Sequence, residues 1–129
     1  MIEITTLAAY VYTFVTGIAV AFQLALALGA PLGHVAMAGK YPGKFPPPMR
    51  VAAVVQGSLL AGLAVIVLSH SGTWLSGIKV SAAWAIWIVV GISGLSFVMN
   101  LITPVRLERL IWAPVGALLF STSLIVALS

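Results

Sequence analysis

The sequence predicts an all-α transmembrane four-helix bundle with a short interfacial or re-entrant helix in its first loop. Three observations carry that prediction. Only 6% of the residues are charged and 62% are hydrophobic, where soluble domains run near ~25% and ~45–50%. Four long stretches, residues 4–28, 51–69, 80–102 and 110–128, contain no charged side chain. Five of the six lysines and arginines fall in two of the loops between them. A soluble fold of this composition lacks the polar groups to cover its surface, so lipid must be the solvent for most of the chain.

The four stretches are read as the spans of a single transmembrane domain, residues 1–129, with an inner loop at 29–50. Crossing ~30 Å of hydrocarbon takes about 20 helical residues. With no water in the bilayer core to satisfy the backbone, each span must be a helix. The first contains Ala25-Leu26-Ala27, which matches a leader-peptide cleavage site, but it is preceded by Met1-Ile2-Glu3, acidic where a leader is basic. It is therefore expected to stay as a span.

The inner loop holds five of the seven prolines and three of the six basic residues. Gly29 is placed to stop the first helix and Pro31 to open a new one. Leu32, Val35 and Ala36 share a face at helical spacing, and Gly39 ends the turn, so residues 31–38 are expected to form the short helix. Pro42, Pro46, Pro47 and Pro48 predict an extended, stiff path into Arg50. Non-helical backbone at membrane depth needs protein or water around it, so this loop is expected to fold under the bundle. Further on, Thr103-Pro104 reads as an N-cap with proline at the first helical position. Arg106 stands where a capping-box acid would be, and Pro114 predicts a bend in the fourth helix.

Loop charge sets the expected orientation. Lys40, Lys44, Arg50, Arg106 and Arg109 lie on one side and Lys79 alone on the other. Positive charge marks the cytoplasmic face, which places both termini outside the cytoplasm and disfavours dual topology. Tyr10, Tyr12, Trp74 and Trp84 near the outer boundary, with Tyr41, Phe45 and Trp112 near the inner one, fit aromatic belts.

Within the spans, small residues (Gly17 with Ala21, Gly57 with Ala61, Ser58 with Gly62, Gly116 beside Ala117) predict close helix packing. Polar residues form stripes: Tyr12, Thr16, Ala19 and Gln23 on the first span, Gln56 on the second, and Ser93, Ser96 and Asn100 on the third. Gln23, Gln56 and Asn100 are expected to converge towards the inner leaflet, either as packing glue or as the lining of a path for a small solute.

Several chemistries are excluded. The chain has no cysteine and no aspartate. His34 and His70 lie at opposite membrane faces, as do Glu3 and Glu108, so neither pair can act together in one chain. Glu108, between Arg106 and Arg109, is expected to be a surface ion-pair member of little energetic weight. No catalytic residue, metal or cofactor is proposed, no enzyme is expected, and scattered basic residues do not suggest a nucleic acid partner. With no charge inside the four stretches, an ion-coupled carrier is disfavoured.

The patterns Gly29-Ala30-Pro31-Leu32-Gly33, Gly39-Lys40, Pro47-Pro48-Met49-Arg50 and Asn100 to Pro114 (NLITPVRLERLIWAP) resemble those of a family of small four-span bacterial membrane proteins without an assigned biochemical role. The resemblance implies a multi-pass protein of the bacterial inner membrane. On these grounds the chain is expected to be a non-enzymatic accessory or homo-oligomeric helix-packing component, in a homo-oligomer or a larger membrane complex, that binds anionic lipid at its inner face. His34, Lys40, Lys44, Arg50, Arg106 and Arg109 would contact lipid headgroups or a partner. The alternative is a passive channel or small-solute facilitator lined by Gln23, Gln56, Ser93, Ser96 and Asn100.

Overall fold

A computed structural model describes residues 3–36, 39–72 and 84–129. Its regular elements are four long helices and one 3-10 turn: α1 (Ile4–Ala27), the turn at Gly33–Val35, α2 (Pro47–Ser71), α3 (Trp84–Ile102) and α4 (Arg106–Leu128). All four helices are long and apolar enough to cross a membrane. Even the 19 residues of α3 reach ~28 Å at 1.5 Å per residue. Large apolar side chains such as Phe14, Val55, Leu95 and Leu110 face outwards, as lipid-solvated helices require. The protein is thus a small polytopic membrane protein, a four-helix bundle.

Helix ends follow local chemistry, though not always as the sequence suggests. α1 stops at Gly29, whose φ of +96° suits a residue without a Cβ. The amides of Gly29 and Ala30 turn back to the carbonyls of Leu26 and Ala25 at 3.1 and 2.9 Å, closing the helix in a Schellman motif. The expected extended run through Pro46–Pro48 is instead the start of α2: Pro46 is the N-cap, with Pro47 and Pro48 in the first helical positions. Amides there have no intrahelical acceptor, so proline loses nothing by lacking one. The expected short helix at 31–38 contracts to the single turn at Gly33–Val35; residues 37 and 38 fall outside the described set, as do Trp74, Lys79 and the start of the third span.

The fourth helix also begins later than Thr103-Pro104 implies. Val105 is its N-cap, and Thr103 is buried, its hydroxyl accepting from the Val105 amide at 3.4 Å. That offset puts Glu108, not Arg106, at the third helical position. α4 runs unbroken through Pro114.

α1 packs along α2 and α3 along α4, while α1 against α4 joins the two pairs; α2 and α3 scarcely touch. Glycine lets α3 and α4 close up: a Cβ on Gly116 would lie 2.8 Å from the Cα of Phe97, whereas one on Gly57 would make only ordinary contact, 3.4 Å from the Cβ of Gln23. At the end where α1 begins and α4 ends, Thr5 donates to Ser129 across 2.6 Å. That half of the bundle has a dry core of Ala9, Tyr12, Leu63, Val67, Ile86, Val89, Leu119 and Val126. Tyr12, expected in an aromatic belt, is buried in this core, its hydroxyl 3.4 Å from Ser93.

The opposite half is built differently. There the loop folds under the bundle, as expected, with Phe45 at 3% exposure packed on Leu26 and Ala53, and Leu32, Ala36, Tyr41 and Met49 around them. Full burial of such a side chain is worth ~1.5–3 kcal/mol. Arg50 ties the two ends of the loop. Its Nε donates to the Phe45 carbonyl at 2.9 Å, and its guanidinium lies against Gly29, where a Cβ would be 3.2 Å away.

Candidate functional site

Between the dry core and the loop, the helices enclose a cavity of about 220 Å³, room for ~7 waters at ~30 Å³ each. α1 contributes Gln23, α2 Gln56, α3 Ser96 and Asn100, and α4 Glu108 and Trp112. Lining residues of α1 and α4 (Ala19, Leu26, Leu119) are buried, whereas Gln56 and Ser96 are exposed. The cavity therefore opens along the α2–α3 seam, where these two helices scarcely touch.

Four of the five expected polar residues thus meet at one place. Ser93 does not: it lies one turn nearer the chain ends, buried against Tyr12. The three amides converge, yet they do not satisfy one another. Asn100 Nδ2 donates to Ser96 of its own helix, to the carbonyl at 2.8 Å and the hydroxyl at 3.4 Å. Among the described residues, no hydrogen bond joins Gln23, Gln56 and Asn100. Helix-to-helix glue requires such bonds; a lined cavity leaves the groups facing its interior.

Glu108 corrects the expectation of a surface ion pair. It is 6% exposed, lines the cavity, and its Oε2 is buried with no hydrogen-bond partner among the described residues. The reason is helical register. Trp112, Val115 and Leu119 follow Glu108 by four, seven and eleven residues and line the same cavity, so the carboxylate sits on the inward seam of α4. Arg106 and Arg109 are exposed, and the Arg109 guanidinium turns to the Thr103 carbonyl at 3.4 Å instead. Isolated ionisable groups are expensive to bury in low dielectric. Position in the first turn offsets part of that cost, because the helix dipole favours negative charge there. The sequence signal was present in that i, i+4, i+7, i+11 pattern, but the arginines on either side of Glu108 point the reading towards a solvated surface instead.

Aromatic rings close the cavity below. Phe22 and Trp112 meet edge to face with centroids 4.6 Å apart, and the Trp112 indole N–H donates to the Val35 carbonyl at 2.8 Å. Of the basic residues expected at this face, His34, Lys40, Lys44, Arg106 and Arg109 are exposed, while Arg50 is half-buried within the loop.

No family model, curated protein or solved structure matches the chain, and the functional reading therefore rests on this geometry.

Proposed function

We propose that the chain is a non-enzymatic, multi-pass protein of the bacterial inner membrane, both termini outside the cytoplasm, that admits a small polar solute to its inner-leaflet cavity and acts as a facilitator. One observation carries this: the cavity draws Gln23, Gln56, Asn100 and Glu108 from all four helices and leaves their polar groups unbonded to each other. A group of that kind is costly inside a membrane unless water or a ligand reaches it. The loop charge bias supports the orientation, and the lack of cysteine and aspartate supports a role without catalysis.

The test uses the chain's freedom from cysteine. In Ser96→Cys, a cationic methanethiosulfonate reagent is expected to label the thiol from the cytoplasmic side of inverted vesicles. Leu95→Cys, one residue along α3 and facing outwards, stays unlabelled. An inert Ser96→Cys thiol overturns the water-filled pocket, and labelling only from the periplasmic side overturns the orientation.

A second reading, an accessory or homo-oligomeric component held at anionic lipid, draws support from the exposed His34, Lys40, Lys44, Arg106 and Arg109 at the loop end. Basic groups there attract anionic headgroups. Thermal stability in phosphatidylglycerol nanodiscs is expected to exceed that in phosphatidylcholine, with the difference lost in a Lys40→Ala, Lys44→Ala, Arg106→Ala variant.

A further inference from the structure

We infer, resting on the solute-pocket reading above, that the occupant of the cavity is a small organic cation, a protonated amine on a short carbon chain, with Glu108 as its counter-ion.

The cavity presents two kinds of surface at once. On one side stands Glu108, a side chain only 6% exposed, with its Oε2 lacking any protein partner among the described residues. Around it, Gln23, Gln56 and Asn100 line the same space, each with a carbonyl oxygen able to accept an N–H. Among the described residues no basic side chain lines the cavity, so none of them answers a negative charge on Glu108. A ligand that brings a positive charge with hydrogen-bond donors supplies what is missing, and charge-assisted hydrogen bonds of this type are the stronger class.

The remaining wall is hydrocarbon and aromatic: Phe22, Leu26, Met49, Leu60, Val115 and Trp112. This surface argues against a bare metal ion. Hard cations take six or more oxygen ligands in a shell, and the apolar wall has none to give. Nor does an anion fit, since it would meet Glu108 in low dielectric. A neutral polar solute can donate a hydrogen bond to the carboxylate but leaves its charge uncompensated. An ammonium group on an alkyl chain matches both surfaces, with the charge at Glu108 and the carbons against the apolar and aromatic wall. The volume, about 220 Å³, limits the ligand to a small amine.

The experiment takes the Ser96→Cys reporter in inverted vesicles and adds n-butylammonium as the probe. At ten times its dissociation constant, a competing ligand slows labelling about ten-fold by mass action. Slowing of that order is expected with n-butylammonium, and little or none with n-butanol, butyrate or potassium chloride at the same concentration. Along the series from methyl- to butylammonium, affinity is expected to rise about four-fold per methylene, the increment of burying one such group. Adding Glu108→Gln to the reporter keeps the thiol labelled but abolishes protection by the amine. The carboxamide keeps the shape and removes a buried unpaired charge, so this variant is expected to be at least as thermostable as its parent. n-Butylammonium should raise the melting temperature of the parent and not of the variant. Labelling that proceeds without amine protection overturns the cation assignment and leaves the pocket standing. Equal protection by butanol or potassium, or protection that survives Glu108→Gln, overturns it as well. Only a Ser96→Cys thiol that never reacts takes the pocket down with it.

Discussion

Trp112 donates its indole N–H to the main-chain carbonyl of Val35 across 2.8 Å, a hydrogen bond spanning 77 residues of sequence. It fastens the loop's 3-10 turn to the inner end of α4 and so holds the floor beneath the cavity in place. Replacing Trp112 by Phe keeps the ring contact with Phe22 but leaves the Val35 carbonyl unpaired. A loss of about 1–3 kcal/mol is expected, the cost of an orphaned buried acceptor, measured by thermal unfolding in detergent. Trypsin should cut faster after Lys40 and Lys44, because the loop comes loose before the bundle does.

Gly33 sits where only glycine fits. Its amide bonds to the Gly43 carbonyl at 2.9 Å. An added Cβ would collide with the Tyr41 carbonyl oxygen and reach within 2.7 Å of that of Gly43. Both obstacles are backbone and cannot swing aside. Gly33→Ala is expected to destabilise by about 1–3 kcal/mol, as overpacking does. Gly43→Ala meets no atom within 4 Å and bears only its positive φ of +79°, about 1–2 kcal/mol. Limited proteolysis of the two variants, side by side, checks the order.

Small residues on the spans divide into two kinds. Gly116 lets the backbone of α4 approach Phe97 so closely that a methyl group there must push α3 away; Gly116→Ala is expected to cost about 1–3 kcal/mol. Gly17 has nothing within 4 Å. Gly17→Ala should be neutral, or stabilising by a few tenths to ~1 kcal/mol through helix propensity. Melting curves that rank the two variants equally would contradict the tight α3–α4 seam.

Tyr12 and Ser93 face each other at 3.4 Å inside the dry core. A contact that long is weak. A double-mutant cycle of Tyr12→Phe and Ser93→Ala is expected to give a coupling near ~0.6 kcal/mol, the average for such pairs in membranes. A coupling above ~2 kcal/mol would mean that the pair forms a shorter bond than this geometry shows.

The spans, their helical state and the folding of the loop under the bundle were legible from charge-free runs and prolines, because lipid leaves the backbone few choices. Convergence of Gln23, Gln56 and Asn100 was legible too, from helical spacing and depth. Glu108 was not. Its two arginine neighbours suggest a solvated turn, although a helix begun at Pro104 or at Arg106 alike brings it into line with Trp112, Val115 and Leu119. Tyr12 misled in the opposite sense. Tyrosine near a span end suggests an interface anchor, but residue 12 falls two turns inside α1 on its packed face, as its neighbours Ala8, Ala9 and Val15 show.

The tight packing of Tyr12, Val67, Val89 and Val126 makes the hollow beneath them a cul-de-sac. Whatever enters by the α2–α3 mouth must back out through it, so this shape by itself equalises nothing between the two compartments. On the facilitator reading proposed above, net passage would require a second shape in which that core parts while the mouth shuts. The contact of α1 with α4, which alone binds the two hairpins firmly, is the natural fulcrum for such a rocking movement.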